Sequence, residues 1–322
     1  MGELLVNSLK IICVSANPAL DRRLRVDSLD AGEVNRAHAA EASPGGKAAH
    51  VAMCGRALGA DVTWIGFLGG PIGQVCVEEL RKLVIAVVPV ETKATTRVNV
   101  EVIENSGRIT EVLEPSGQPS LDEQAEMLRV FEEGLRGKWK GGIVVISGSL
   151  PAGVPQTFYV PFIQAARAAG SNVLLDTSGD ALLPGIDAGP NFVKPNRREA
   201  ESFLCRSIRD IQDATAAVRE LTGRGAGSAA ITLGSAGLVW HESRTSPVRI
   251  ARPPQLKAIS TVGCGDATLA GFAYAMLQRL SSDDTVRLAS ACGAANCLAE
   301  FAGRISAEDV QTLIPQIEVE LV

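Results

Sequence analysis

Residues 142–176 read GIVVISGSLPAGVPQTFYVPFIQAARAAGSNVLLD. The opening run, 142–147, is apolar and β-branched, which predicts a strand without a polar face. Residues 155–169 follow as a helix, and 172–176 return as a second apolar strand. Two strands apolar on both faces, joined through a helix, are the unit of a parallel sheet covered by helices. The alternation continues downstream. Residues 192–194 read as a short strand, 197–204 and 211–222 as helices, and 229–233 and 237–241 as strands. Upstream, 10–16 read as a buried strand that ends at Asn17-Pro18. A helix over 47–58 closes at Gly59, and the strand 61–67 ends at Gly69-Gly70-Pro71. The apolar run 83–90 is a buried strand or a helix end. In such an α/β sheet, ligands bind beyond the carboxyl ends of the strands.

Two stretches break this rhythm. Residues 20–41 are polar and alternate at Arg23-Leu24-Arg25-Val26, and 43–46 (Ser-Pro-Gly-Gly) read as a turn. Residues 95–114 alternate around Gly107, which predicts a β-hairpin. Together they predict one small sheet acting as a lid over 17–41 and 95–115. The core then comprises 1–16, 42–94 and 116–322.

Composition narrows the class. The chain has 322 residues, 46% of them hydrophobic and 4% aromatic, with a net charge of -5. That balance points away from nucleic acid as a partner, so anionic ligands must be met by a few placed Lys or Arg. No apolar run approaches the roughly 20 residues of a membrane span, and residues 1–10 lack a secretory signal. Seven scattered cysteines without a C-x-x-C pair, and three histidines, argue against structural zinc and fit a reducing cytosol. A cytoplasmic protein is expected, with no membrane partner.

Four short motifs carry chemistry. Thr261-Val262-Gly263-Cys264-Gly265-Asp266 precedes a helix with apolar residues on one face, including Leu269, Phe272 and Leu280. Glycines at a helix start let backbone N–H groups approach phosphate oxygens, and the helix dipole favours the anion. Asp266 at that point can accept a proton from an attacking hydroxyl, although an Asp there can also simply cap a helix. Gly45-Gly46-Lys47 opens another helix and leaves room for a ligand. It is not a P-loop, because Glu41 and Ala48 stand where Gly and Ser/Thr would be needed. In Lys194-Pro195-Asn196-Arg197-Arg198-Glu199, Asn196 and Glu199 can hold hydrated magnesium, or form a capping box, or both. Thr232-Leu233-Gly234-Ser235-Ala236-Gly237 is a turn between strands that can border an adenine or a phosphate.

In this order, the four motifs resemble the PfkB (ribokinase-like) carbohydrate kinase family from Asn17 to Gly303. Further segments resemble its 1-phosphofructokinase and tagatose-6-phosphate kinase branch: Asn17-Pro18-Ala19-Leu20-Asp21, Gly32-Glu33-Val34-Asn35-Arg36, Thr96-Arg97 and Gly148-Ser149-Leu150-Pro151. The resemblance implies a three-layer α/β/α core with a β-sheet lid, and it implies ATP and Mg²⁺. It gives Asp266 as the catalytic base, with Gly263, Cys264 and Gly265 supplying the anion hole. Asp21 would bond sugar hydroxyls, and Gly45, Gly46 and Lys47 would line the sugar site. Arg36 and Arg97 would clamp the phosphate of a sugar phosphate, since a guanidinium meets phosphate with paired hydrogen bonds. Lys194, Asn196, Thr232, Gly234, Gly237 and Asn296 would serve the nucleotide. Glu199, through water, and Asn196 would serve the metal.

The chain departs from that pattern at three positions. His50 replaces the usual Asn of the sugar site and can carry charge. Cys264 replaces a small Ala or Ser, and Ala267 replaces Ser. The implied acceptor is fructose 1-phosphate, tagatose 6-phosphate or fructose 6-phosphate. An unphosphorylated sugar, a nucleoside, or a sensor without catalysis are the alternatives. A homodimer through the lid is also expected.

Overall fold

The structure is a computed structural model and describes residues 10–322. Its strands are β1 (Lys10–Ser15), β2 (Ala19–Val26), β3 (Ala39–Gly45), β4 (Asp61–Leu68), β5 (Ala86–Glu91), β6 (Arg97–Glu104) and β7 (Ile109–Leu113). They continue as β8 (Ile143–Ser147), β9 (Asn172–Asp176), β10 (Phe192–Val193), β11 (Ala229–Thr232), β12 (Leu238–His241), β13 (Val248–Arg252) and β14 (Glu318–Leu321). The large sheet has the order β14-β13-β12-β11-β10-β9-β8-β1-β4-β5. From β11 to β5 every neighbouring pair is parallel, and β12, β13 and β14 add an antiparallel edge.

The apolar strands divide their side chains between two cores. Ile11, Cys13, Ile143 and Val145 point to one face of the sheet. Ile12, Val14, Val144 and Ile146 point to the other. Period-two alternation with no polar face is what burial under helices on both sides demands. Helices Lys47–Ala57, Cys264–Gln278 and Ser282–Leu298 cover the first face. Leu121–Arg136, Tyr159–Ala168 and Ile211–Arg224 cover the second. Phe272 locks the first layer, its ring 4.6 Å from Phe192 and 5.4 Å from Trp240. This is the ribokinase-like three-layer architecture.

The second sheet has the order β3-β2-β6-β7, with β2 and β6 parallel. It therefore unites the 20–41 stretch with the hairpin. Ser43 and Pro44 belong to β3 and do not form a turn, pairing with Asp21 and Leu20. Proline is tolerated there because β3 is an edge strand.

Two long helices escape the periodicity reading, as do the short helices Leu182–Asp187 and Ala307–Leu313. Gly70–Lys82 begins on Gly69-Gly70-Pro71, with the proline in its first turn. Ser282–Leu298 is buried around most of its circumference and has no polar stripe to mark it. The helix expected from 155 starts at Tyr159. No described helix is long and apolar enough to cross a membrane.

Candidate active site

Strands β1, β8, β9, β10 and β11 present their carboxyl ends along one edge of the large sheet. At those ends or just beyond them lie Asn17, Gly148, Asp176, Lys194 and Thr232. The small sheet reaches the same place through Asp21 and Asn99, which are register partners on β2 and β6.

A chain of buried hydrogen bonds crosses the site. Asn99 Nδ2 donates to Asp21 Oδ1 at 2.8 Å. Asp21 Oδ2 lies 2.9 Å from His50 Nε2, and His50 Nδ1 lies 2.8 Å from Asp266 Oδ2. A carboxylate only accepts, so an imidazole held by two of them must donate from both nitrogens and is an imidazolium. Burial works against that charge. The hydrogen bonds and charges of Asp21 and Asp266 outweigh it and hold the His50 ring up at about 10. Burial likewise pushes the Asp21 carboxyl up, but His50, Asn99 and Arg97 bring it below the ordinary carboxylate range.

Local geometry explains the residues around this chain. A Cβ on Gly45 would meet Asp21 Oδ1 at 2.1 Å, so only glycine lets the carboxylate turn toward His50. Gly46 opens helix Lys47–Ala57 at φ 86, a left-handed angle that favours glycine.

Lys47 starts a second network. Its Nζ lies 3.1 Å from Asp176 Oδ1 and 3.1 Å from Glu199 Oε1. Lys194 Nζ lies 3.0 Å from Asp176 Oδ2, with both side chains at most 2% exposed. Burial alone would lower the Lys47 ammonium, but Asp176, Glu199 and Asp266 raise it well above the lysine range. Burial pushes Asp176 up, and Lys194 and Lys47 pull it down further. Two lysine side chains thus converge on Asp176 beside the Asp266 helix start. A Cβ on Gly265 would lie 3.3 Å from Lys194 Nζ.

That helix begins at Gly263, in the left-handed conformation with φ 79. Asn296 holds the loop. Its Nδ2 donates to the Val262 carbonyl at 2.7 Å, and its Oδ1 accepts from Gly303 N at 2.8 Å. Asn296 is 1% exposed, so it braces the loop from behind and its amide has no edge free for an adenine.

The 196–199 motif is a capping box. Asn196 Oδ1 accepts from Glu199 N at 2.9 Å, and Glu199 Oε2 accepts from Asn196 N at 2.8 Å. Glu199 Oε1 alone turns toward Lys47. Thr232 pairs with Asn196 in a short parallel bridge, bringing the 232–237 turn beside it. Gly237 is required by β13, since a Cβ would meet the Ala251 carbonyl at 2.0 Å, whereas Gly234 faces open space.

Arg97 lines a cleft with Asn17, Thr92, Thr95 and Pro151. Its Nη1 donates to Asn99 Oδ1 at 3.1 Å, and its Nε is buried without an acceptor. Arg36 is not brought there. It is exposed on the loop between β2 and β3, and among the described residues no hydrogen bond or ion pair ties it to the site. Asp176 and Asn99 were missed by sequence reasoning. A polar residue closing an apolar parallel strand was the available signal for Asp176.

Glycines at a helix start, two lysines and a carboxylate on that helix together can seat a phosphoryl group and receive the proton of the hydroxyl that attacks it. The fold and this chemistry define a small-molecule kinase. The chain belongs to the pfkB family of carbohydrate kinases, whose profile matches residues 9–308. It is 31% identical over 312 residues to 1-phosphofructokinase of Vibrio cholerae, covering 96% of each chain. With tagatose-6-phosphate kinase of Staphylococcus epidermidis it shares 29% identity, covering 96% of this chain and 99% of that one. Phosphofructokinase-2 from Escherichia coli in complex with fructose-6-phosphate superposes with a TM-score of 0.87 at 28% identity, over 96% of this chain and 99% of that chain.

Proposed function

We propose that the chain transfers the γ-phosphoryl group of ATP to a hydroxyl of a ketohexose phosphate: fructose 1-phosphate, tagatose 6-phosphate or fructose 6-phosphate. The observation that carries this reading is the Asp21–His50–Asp266 chain, which fixes a sugar-facing carboxylate and a base on one imidazolium. Asp266 Oδ2 is held by His50, which leaves Oδ1 to take the proton of the attacking hydroxyl. Lys47, Lys194 and the N–H groups from Gly263 to Asp266 stabilise charge on the transferring group. Arg97, with its unpartnered Nε, takes the phosphate that the sugar already carries. Arg36 reaches it only if its exposed loop folds inward.

The donors suit magnesium only in part. Among the described residues no cluster of three or more His, Cys, Asp or Glu could hold a metal. Magnesium usually keeps several waters and binds through one or two carboxylates plus substrate phosphates. Glu199, with Oε1 pointing into the site, fits that role through water, while Asn196 is engaged as a helix cap. Bound there, the ion would neutralise phosphate charge.

The small sheet supports two finer readings. Its inner face carries Asp21 and Asn99, as a lid over the sugar would need. Its other face carries Leu24, Val100, Val102 and Val112, the last 60% exposed, as a contact with a second copy would need. A cytosolic location is in keeping with seven cysteines that are all free thiols.

A coupled assay of ATP turnover with Mg²⁺ tests the reading against phosphorylated and unphosphorylated hexoses and nucleosides. Turnover on one ketohexose phosphate alone is expected. Preference for an unphosphorylated sugar or a nucleoside would overturn the acceptor assignment. ATP binding without any turnover would favour a sensor.

A further inference from the structure

We propose that Cys297 and Cys264 form a peroxide-sensitive modification site, where a disulfide between them disables the phosphate seat. This rests on reading Gly263 to Asp266 as that seat. Cys264 is the first residue of helix Cys264–Gln278, and Cys297 is the next-to-last of Ser282–Leu298. Their Sγ atoms lie 3.2 Å apart. Both are partly exposed, whereas Cys13, Cys54, Cys76 and Cys292 are buried. Cys205 is exposed, but its thiol contacts only the carbonyl of Ser202 on its own helix.

The pair is organised for attack. Either sulfur can donate in their 3.2 Å thiol–thiol contact, and that contact brings Cys297 down to about 7 against the effect of burial. The same contact and burial raise Cys264, which leaves Cys297 the more readily ionised of the two. A thiolate is the nucleophile toward peroxide. The Cys297 thiolate attacks one peroxide oxygen. The O–O bond breaks, leaving a sulfenic acid and hydroxide, which takes up a proton as water. Cys264 sulfur, giving up its proton, then attacks Cys297 sulfur and expels a second water as the S–S bond forms. Two thiols are oxidised by two electrons, and one peroxide is reduced to two waters.

The bond requires the sulfurs to close by about 1 Å. The two helices cannot supply that by sliding together. A Cβ on Gly271 would already meet Ala289 Cα at 2.6 Å, and one on Gly293 would meet Thr268 Oγ1 at 2.4 Å. Rotation of the two cysteine side chains and movement of the loop carrying Gly263 and the Cys264 N–H are what remain to close the gap, and that loop holds the groups read as the phosphate seat.

Hydrogen peroxide added to the full chain tests this, with peptide mapping by mass spectrometry and turnover measured on the same samples. The expected result is a Cys264–Cys297 link that grows as turnover falls, both reversed by dithiothreitol. Cys297→Ser should keep its turnover and lose activity to peroxide about tenfold more slowly. Oxidation of other cysteines with this pair unlinked would overturn the proposal, and so would a complete link with undiminished turnover. Mapping reads the link whichever acceptor is used, so a failed acceptor panel and a failed thiol pair give different results.

Discussion

His50 holds Asp266 by a 2.8 Å hydrogen bond from Nδ1, while its other nitrogen holds Asp21 at 2.9 Å. One ring thereby joins the Lys47–Ala57 helix to the small sheet and to the helix that carries Asp266.

Because the folded-state value of His50 is raised from 6.5 to about 10, its contribution to stability is fully present below about pH 6.5 and is lost as pH rises toward 10. Denaturation midpoints of the wild type should fall across that interval, and those of His50→Asn should fall less steeply. Parallel slopes in the two proteins would remove the imidazolium from the account. His50→Ala leaves two buried carboxylates facing each other and should cost about 3 kcal/mol.

Asp176 is 1% exposed and neutralises two lysines at once. Asp176→Asn should lower stability by about 3 kcal/mol and depress turnover, because Lys47 and Lys194 would then repel each other. Urea denaturation and steady-state kinetics measure the two effects. A variant as stable and as active as wild type would show that the lysines are not organised by this carboxylate.

Arg97→Ala should raise KM for a phosphorylated sugar by about tenfold or more while leaving KM for ATP nearly unchanged. Equal shifts in both constants would place Arg97 away from the acceptor phosphate.

The parts of this site legible in sequence are those where chemistry is compressed into consecutive residues. Gly263 to Asp266, Gly45 to Lys47 and the 196–199 capping box each announce a helix start, and the structure puts one at each. Asp176 and Asn99 were hidden because each sits within a strand pattern and finds its partner far away, Lys47 being 129 residues from Asp176. Arg36 shows the opposite limit, since the family resemblance implied a phosphate clamp but the loop leaves it in solvent. Asn296 was expected to serve the nucleotide, whereas its amide is bonded to the backbone at Val262 and Gly303. The alternating cores of β1 and β8 were readable as apolar runs. Helix Ser282–Leu298 was not, because burial on nearly all sides erases helical periodicity.

Whether Asp266 takes the proton of the attacking hydroxyl is read from kcat of Asp266→Asn on the best acceptor. A loss of about 10³-fold with ATP affinity nearly unchanged is expected. Turnover within a few-fold of wild type would contradict it.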